Sequence, residues 1–106
     1  MKMNVQSDGV INTIALCGEL DHHTAKAIIG DISVLIDTRM PHRLIFDFKD
    51  LTFMDSSGIA VILGAYRRIS EVGGSLNIVN VPKQALRVLN AAGVGRIVKI
   101  EKEQGE

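Results

Sequence analysis

The stretch Leu44-Ile-Phe-Asp-Phe-Lys-Asp-Leu-Thr-Phe-Met-Asp-Ser-Ser-Gly-Ile-Ala-Val-Ile62 passes from one short apolar run through a polar seam into another. The first run, Leu44 to Phe48, suits an interior strand, since a strand covered by neighbours has little use for polar breaks. The second run opens a helix. From Ser57 to about Val72, Ile59, Ile62, Leu63, Tyr66 and Ile69 recur at three- and four-residue spacing, and Gly73-Gly74 stops the pattern. Lys49 to Met54 is then the loop of a strand-loop-helix unit, with the adjacent hydroxyls of Ser56 and Ser57 at the helix start.

Working outward, Met40-Pro41-His42-Arg43 closes an earlier helix that Asp21 caps and that continues to about Ile36, with Ile28, Ile29, Ile32, Leu35 and Ile36 on one face. Before it come a strand near Met3 to Gln6, a hairpin turn at Ser7-Asp8-Gly9, and a loosely alternating strand from Val10 to Leu16 broken by Asn12. Beyond the central unit, Leu76 to Val79 is another strand. Pro82 suits a first helical position, Ala85, Leu86 and Leu89 supply a third stripe, and Gly93 stops it. A last strand fits Ile97 to Ile100, and the polar tail Glu101 to Glu106 frays or continues briefly as helix. The order implies an α/β domain: one sheet with helices packed against it.

At 106 residues the chain is long enough for one core and too short for separate cofactor and substrate domains. Apolar residues make up 46% and aromatics 4%, so the core is aliphatic and offers no aromatic platform for stacking bases. Twelve basic residues balance twelve acidic ones without clustering, which argues against nucleic-acid or membrane-surface partners and for proteins or small molecules. Cys17, between Leu16 and Gly18, suggests a buried thiol in a reducing cytoplasm. No apolar run approaches the roughly 20 residues needed to span a bilayer, and the N-terminus has no apolar leader region, so a soluble cytoplasmic protein is expected.

Three readings compete for Ser56 and Ser57. Asp and Ser are favoured helix caps, each contributing about 1 kcal/mol with no further function. A hydrolase needs a serine on a sharp elbow beside a base, usually within Gly-x-Ser-x-Gly, but here Met54 and Gly58 flank the serines, so the first glycine is missing, and only His22, His23 and His42 are available as bases. A phosphate acceptor needs less: an exposed hydroxyl where added negative charge is tolerated, such as a helix N-terminus. The second polar cluster, Gly18-Glu-Leu-Asp-His-His-Thr-Ala25, opens the first helix. Asp21 caps there. His22 and His23 diverge by about 100° on a helix and make a poor metal pair. A phosphohistidine role is a minor alternative, and partner contact is plausible if both junctions share one end of the sheet.

Taken together, Gly18-Glu-Leu-Asp-His-His-Thr-Ala25, Asp50-Leu-Thr-Phe-Met-Asp-Ser-Ser-Gly58, Val61-Ile-Leu-Gly64 and Gly73-Gly74 resemble the anti-sigma factor antagonists of the STAS domain family, nearest to those that act in sporulation. The resemblance covers nearly the whole chain. It implies a single STAS-like domain over residues 1–106, with a mixed sheet and helices mainly on one face. It also implies a non-enzymatic protein, without cofactor or metal, that binds a serine-kinase anti-sigma factor and so frees a sigma factor. Phosphorylation by that kinase would switch it off and a serine phosphatase would restore it. The family's acceptor is the serine directly after aspartate, which corresponds to Ser56. Asp21 is carried over as a kinase contact, with His22, His23, Asp55, Ser57, Gly58 and Ile59 as further partner-binding candidates. A general stress-response antagonist of the same family is the alternative within this resemblance.

Overall fold

The computed structural model describes residues 1–102. β1 (Lys2–Asp8) and β2 (Ile11–Leu20) form an antiparallel hairpin with Asp8 opposite Ile11. Its turn is Gly9-Val10, so Ser7 and Asp8 belong to the strand; Gly9 takes the φ of 63° that glycine reaches without a Cβ penalty. Next come α1 (His22–Arg39), β3 (Arg43–Asp47), β4 (Leu51–Met54), α2 (Ser57–Glu71), β5 (Ser75–Val81), α3 (Lys83–Ala91), a 3₁₀ turn at Val94–Arg96, and β6 (Lys99–Lys102).

Two C-terminal boundaries differ from the sequence reading. Pro82 is the cap of α3, not its first residue: its ψ of 161° is extended while its carbonyl already accepts from Leu86 N–H at 2.8 Å. The last strand starts at Lys99, because Ile97 and Val98 donate their N–H groups to the Val94 carbonyl at 3.1 and 3.0 Å and are held off the ladder. Glu101 and Lys102 extend that strand. The rest of the tail lies outside the described residues.

The sheet runs β1-β2-β3-β5-β6, with β1 antiparallel and β3, β5 and β6 joined in parallel. Alternation along the strands shows which face is covered. Ile14, Leu16, Leu44, Phe46, Leu76 and Ile78 are buried, whereas Thr13, Ala15, Ile45, Asn77 and Val79 are only half-buried. Helices therefore cover one face. Cys17 falls on the uncovered side and is half-buried, which corrects the expectation of a buried thiol. Under the helices, Ile28, Ile32 and Ile36 of α1 join Val61, Ile62 and Ile69 of α2 in one core. Each such side chain contributes roughly 1.5–3 kcal/mol by burial, so packing fixes α2 more firmly than any single cap worth about 1 kcal/mol.

Candidate functional site

The segment read as loop from Lys49 to Met54 contains β4, four residues whose ends, Leu51 and Met54, are buried while Thr52 and Phe53 are exposed. β4 pairs in parallel with the last residues of β2, Gly18 opposite Leu51 and Leu20 opposite Met54, across a register shift. β2 is long enough to pair with β3 along its first half and with β4 at its end. Asp21 and Asp55 each follow directly on a paired strand end, and the Asp55 N–H donates to the Leu20 carbonyl at 3.3 Å. The two polar clusters picked out in the sequence thus meet at one end of the sheet, and β4 is what joins them.

Gln84 of α3 completes the seam. Its Oε1 accepts from the Met54 N–H and its Nε2 donates to the Met54 carbonyl, both at 2.8 Å, so the side chain replaces a neighbouring strand at this edge of β4. Below the seam, Gly58 is buried. A Cβ there would stand 2.4 Å from Met54 Cγ and 3.2 Å from Leu20 Cδ2. Its place in the fold is a close approach of helix to sheet.

The two hydroxyls differ. Ser56 is exposed, sits at the N-cap position with helical angles (φ −63°, ψ −18°), and makes no side-chain hydrogen bond among the described residues. Capping falls to Asp55, whose Oδ1 accepts from the Ser57 N–H at 2.8 Å. Ser57 is half-buried and lines a trough of about 280 Å³ with His22, Ala25, Lys26, Ile29 and Ala60. Ser56 lines another, about 490 Å³, with Ile59, Arg87, Val88, Ala91 and Ala92. The start of α2 is a ridge between two largely apolar troughs, with Ser56 exposed on it.

One expectation about this helix start needs correction. Its amides do not stand open for an anion: the Ser57 N–H is bound by Asp55, the Gly58 N–H donates to the Asp55 carbonyl at 3.0 Å, and the Ile59 N–H to the Ser56 carbonyl at 3.1 Å. A carboxylate two residues ahead of the helix has already taken the place.

Asp21 forms a capping box. Its Oδ1 accepts from the His23 and Thr24 N–H groups at 2.9 and 3.2 Å, and the Thr24 hydroxyl accepts from the Asp21 N–H at 3.0 Å. Partial desolvation acts to raise its pKa, but the Thr24 and His23 hydrogen bonds together with the His23 charge outweigh it and hold the carboxyl below its ordinary value. His22 and His23 are exposed, with rings edge to face at 5.8 Å. No group of three metal-ligating side chains occurs among the described residues. His42 lies beyond reach: its N–H bonds Val10 at the opposite end of β2, ten residues and roughly 30 Å from the seam. Among the described residues no histidine is hydrogen-bonded to either serine.

Sequence reasoning missed Gln84 and Arg87. They recur with Val88 and Ala91 at the helical spacing of one stripe, next to the buried Ala85–Leu89 stripe. That spacing was visible; what the stripe meets was not.

With this arrangement in view, a model of the STAS domain matches residues 2–106. The chain belongs to the STAS domain family. Over 87 residues it is 37% identical to an anti-sigma F factor antagonist of Paenibacillus polymyxa, covering 82% of this chain and 74% of the relative. Identity to an anti-sigma-B factor antagonist of Bacillus subtilis strain 168 is 27%, over 82% of this chain and 78% of the relative. The fold matches that of the anti-sigma factor antagonist SpoIIAA in its unphosphorylated form, with TM-score 0.82 and 30% identity over 96% of this chain and 90% of the other. The Bacillus cell fate determinant SpoIIAA in its phosphorylated form matches at TM-score 0.73, with 30% identity over 96% and 93%. No helix among the described residues is long and apolar enough to cross a membrane.

Proposed function

We propose that this STAS domain is a non-enzymatic anti-sigma factor antagonist in the cytoplasm, switched by phosphorylation of Ser56. Unmodified, it docks on a serine-kinase anti-sigma factor with the ridge at the start of α2 and the neighbouring Asp21-His22-His23 junction. Docking frees a sigma factor that directs sporulation genes. The kinase then moves the γ-phosphoryl of ATP to Ser56 Oγ: a P–O bond forms, the bond to ADP breaks, and the hydroxyl proton leaves to a base on the kinase. The domain lets go, and a serine phosphatase restores it by hydrolysis.

The observation that carries this reading is the division of labour between Asp55 and Ser56. Asp55 caps the helix, which leaves the Ser56 hydroxyl exposed and without a structural task. Ser57 is half-buried against α1, a poorer acceptor. A phosphoryl group adds roughly 1.5–2 negative charges. Beside Asp55, such a charge is tolerable in water and costly in a closed interface. The relatives named as antagonists, and a homologue known in both phosphorylated and unphosphorylated forms, support the assignment. Balanced charge supports a protein partner over nucleic acid or a membrane surface. Asp21, Asp55, Gly58 and Ile59 enter chiefly by shaping and positioning that surface.

Mixing the chain with serine-kinase anti-sigma factors and ATP, read by intact mass and peptide mapping, tests the proposal. One phosphoryl group on Ser56 is expected, lost in Ser56→Ala and retained in Ser57→Ala. Ser56→Ala should still bind the kinase, and Ser56→Asp should bind at least about tenfold more weakly, a difference of ~1.4 kcal/mol. Equal binding of the two variants refutes the charge mechanism. Preference for a kinase of the stress pathway would move the protein to the alternative branch of the family.

A further inference from the structure

We propose that Arg87 is the internal ligand of the phosphoryl group on Ser56, making α3 part of the switch; the regulatory meaning rests on the Ser56 reading above. Three observations lead there. First, the amides that usually receive an anion at a helix start are engaged, by Asp55 at Ser57 and by main-chain carbonyls at Gly58 and Ile59. A dianion on Ser56 must therefore find its donors elsewhere or displace the carboxylate of Asp55.

Second, the trough that holds Ser56 contains one charged side chain, Arg87, its other walls being Ile59, Val88, Ala91 and Ala92. The ion pair found among the described residues is Arg68 with Asp37, and Arg87 has no hydrogen bond there. The basic side chains on the α1 side, His22 and Lys26, belong with Ser57 to the other trough. A guanidinium matches phosphate oxygens with paired N–H donors.

Third, α3 is not free to drift. Gln84, one turn before Arg87, ties it through two 2.8 Å hydrogen bonds to Met54, two residues before Ser56. Donor and acceptor site are thus mounted on one rigid joint. Once formed, the pair neutralises part of the added charge in the free domain and fills the trough beside Ile59. Docking is then blocked by occupancy as well as by charge, while the fold is kept.

The test uses the full chain with phosphoserine installed at position 56 by semisynthesis, titrated by ³¹P NMR. A cation held against the phosphate favours its dianion, so Arg87→Gln should raise the apparent second pKa of the phosphoserine by about half a unit or more. Arg87→Lys should recover part of the shift. Arg67→Gln, on the far part of α2, should leave the titration unchanged. Identical titrations in the parent chain and Arg87→Gln overturn the proposal. Because the phosphoserine is installed chemically, this result stands apart from kinase mapping, and a kinase that modifies another residue defeats the Ser56 reading by itself.

Discussion

Replacing Gln84 by Met is the most informative perturbation of the fold around the seam. Methionine keeps length and volume but has no N–H donor and no good acceptor, so the Met54 N–H and C=O lose partners at 2.8 Å each. A net hydrogen bond contributes about 0.5–1.5 kcal/mol, so two give a loss of roughly 1–3 kcal/mol. For a domain of this size that is a fall in Tm on the order of 5–15 °C. Urea unfolding with a fixed m-value measures it, and hydrogen exchange at the Met54 amide localises it. Gln84→Glu sharpens the case. Its carboxylate still accepts from the Met54 N–H but points its second oxygen at the Met54 carbonyl, so the folded state raises its pKa above the unfolded value of about 4.3. Protonation restores a donor, so the stability recovered is present below that value and lost as pH rises through the folded pKa. A loss under about 0.5 kcal/mol in Gln84→Met, or no acid recovery in Gln84→Glu relative to the parent chain, refutes the role of this side chain as a substitute strand.

Two further outcomes are expected. Asp21 is held below its ordinary pKa, so its contribution is present above the unfolded value and lost as pH falls through the folded one. Asp21→Asn keeps the cap and should flatten that acid limb in a pH series of urea unfolding curves, while an unchanged limb places the titration elsewhere. Gly58→Ala forces a methyl against Met54 and Leu20 and should cost about 1–3 kcal/mol by overpacking, less the ~1 kcal/mol that alanine gains in a helix. Combining it with Met54→Ala should give a loss well below the sum of the two, and strict additivity would show that the methyl finds room by another route.

The sequence by itself determined the three helices, the β-α-β order and the presence of two polar junctions. The stripes Ile28–Ile32–Ile36 and Ile62–Tyr66–Ile69 announce helices because their spacing has one physical reading, and Gly73-Gly74 and Asp21 mark ends through backbone freedom and capping that act locally. The tertiary structure alone decided β4. Leu-Thr-Phe-Met is too short for periodicity to speak, and its hydrogen-bond partners lie about thirty residues away on either side, in Leu20 of β2 and Gln84 of α3. The same distance in sequence hid Arg87, which shares a trough with Ser56 through the packing of α3, whereas the Asp55 cap on the Ser57 N–H is a contact two residues long. Local patterns record what a residue does within its own turn or strand. A pair of groups brought together by folding leaves no such mark in either segment.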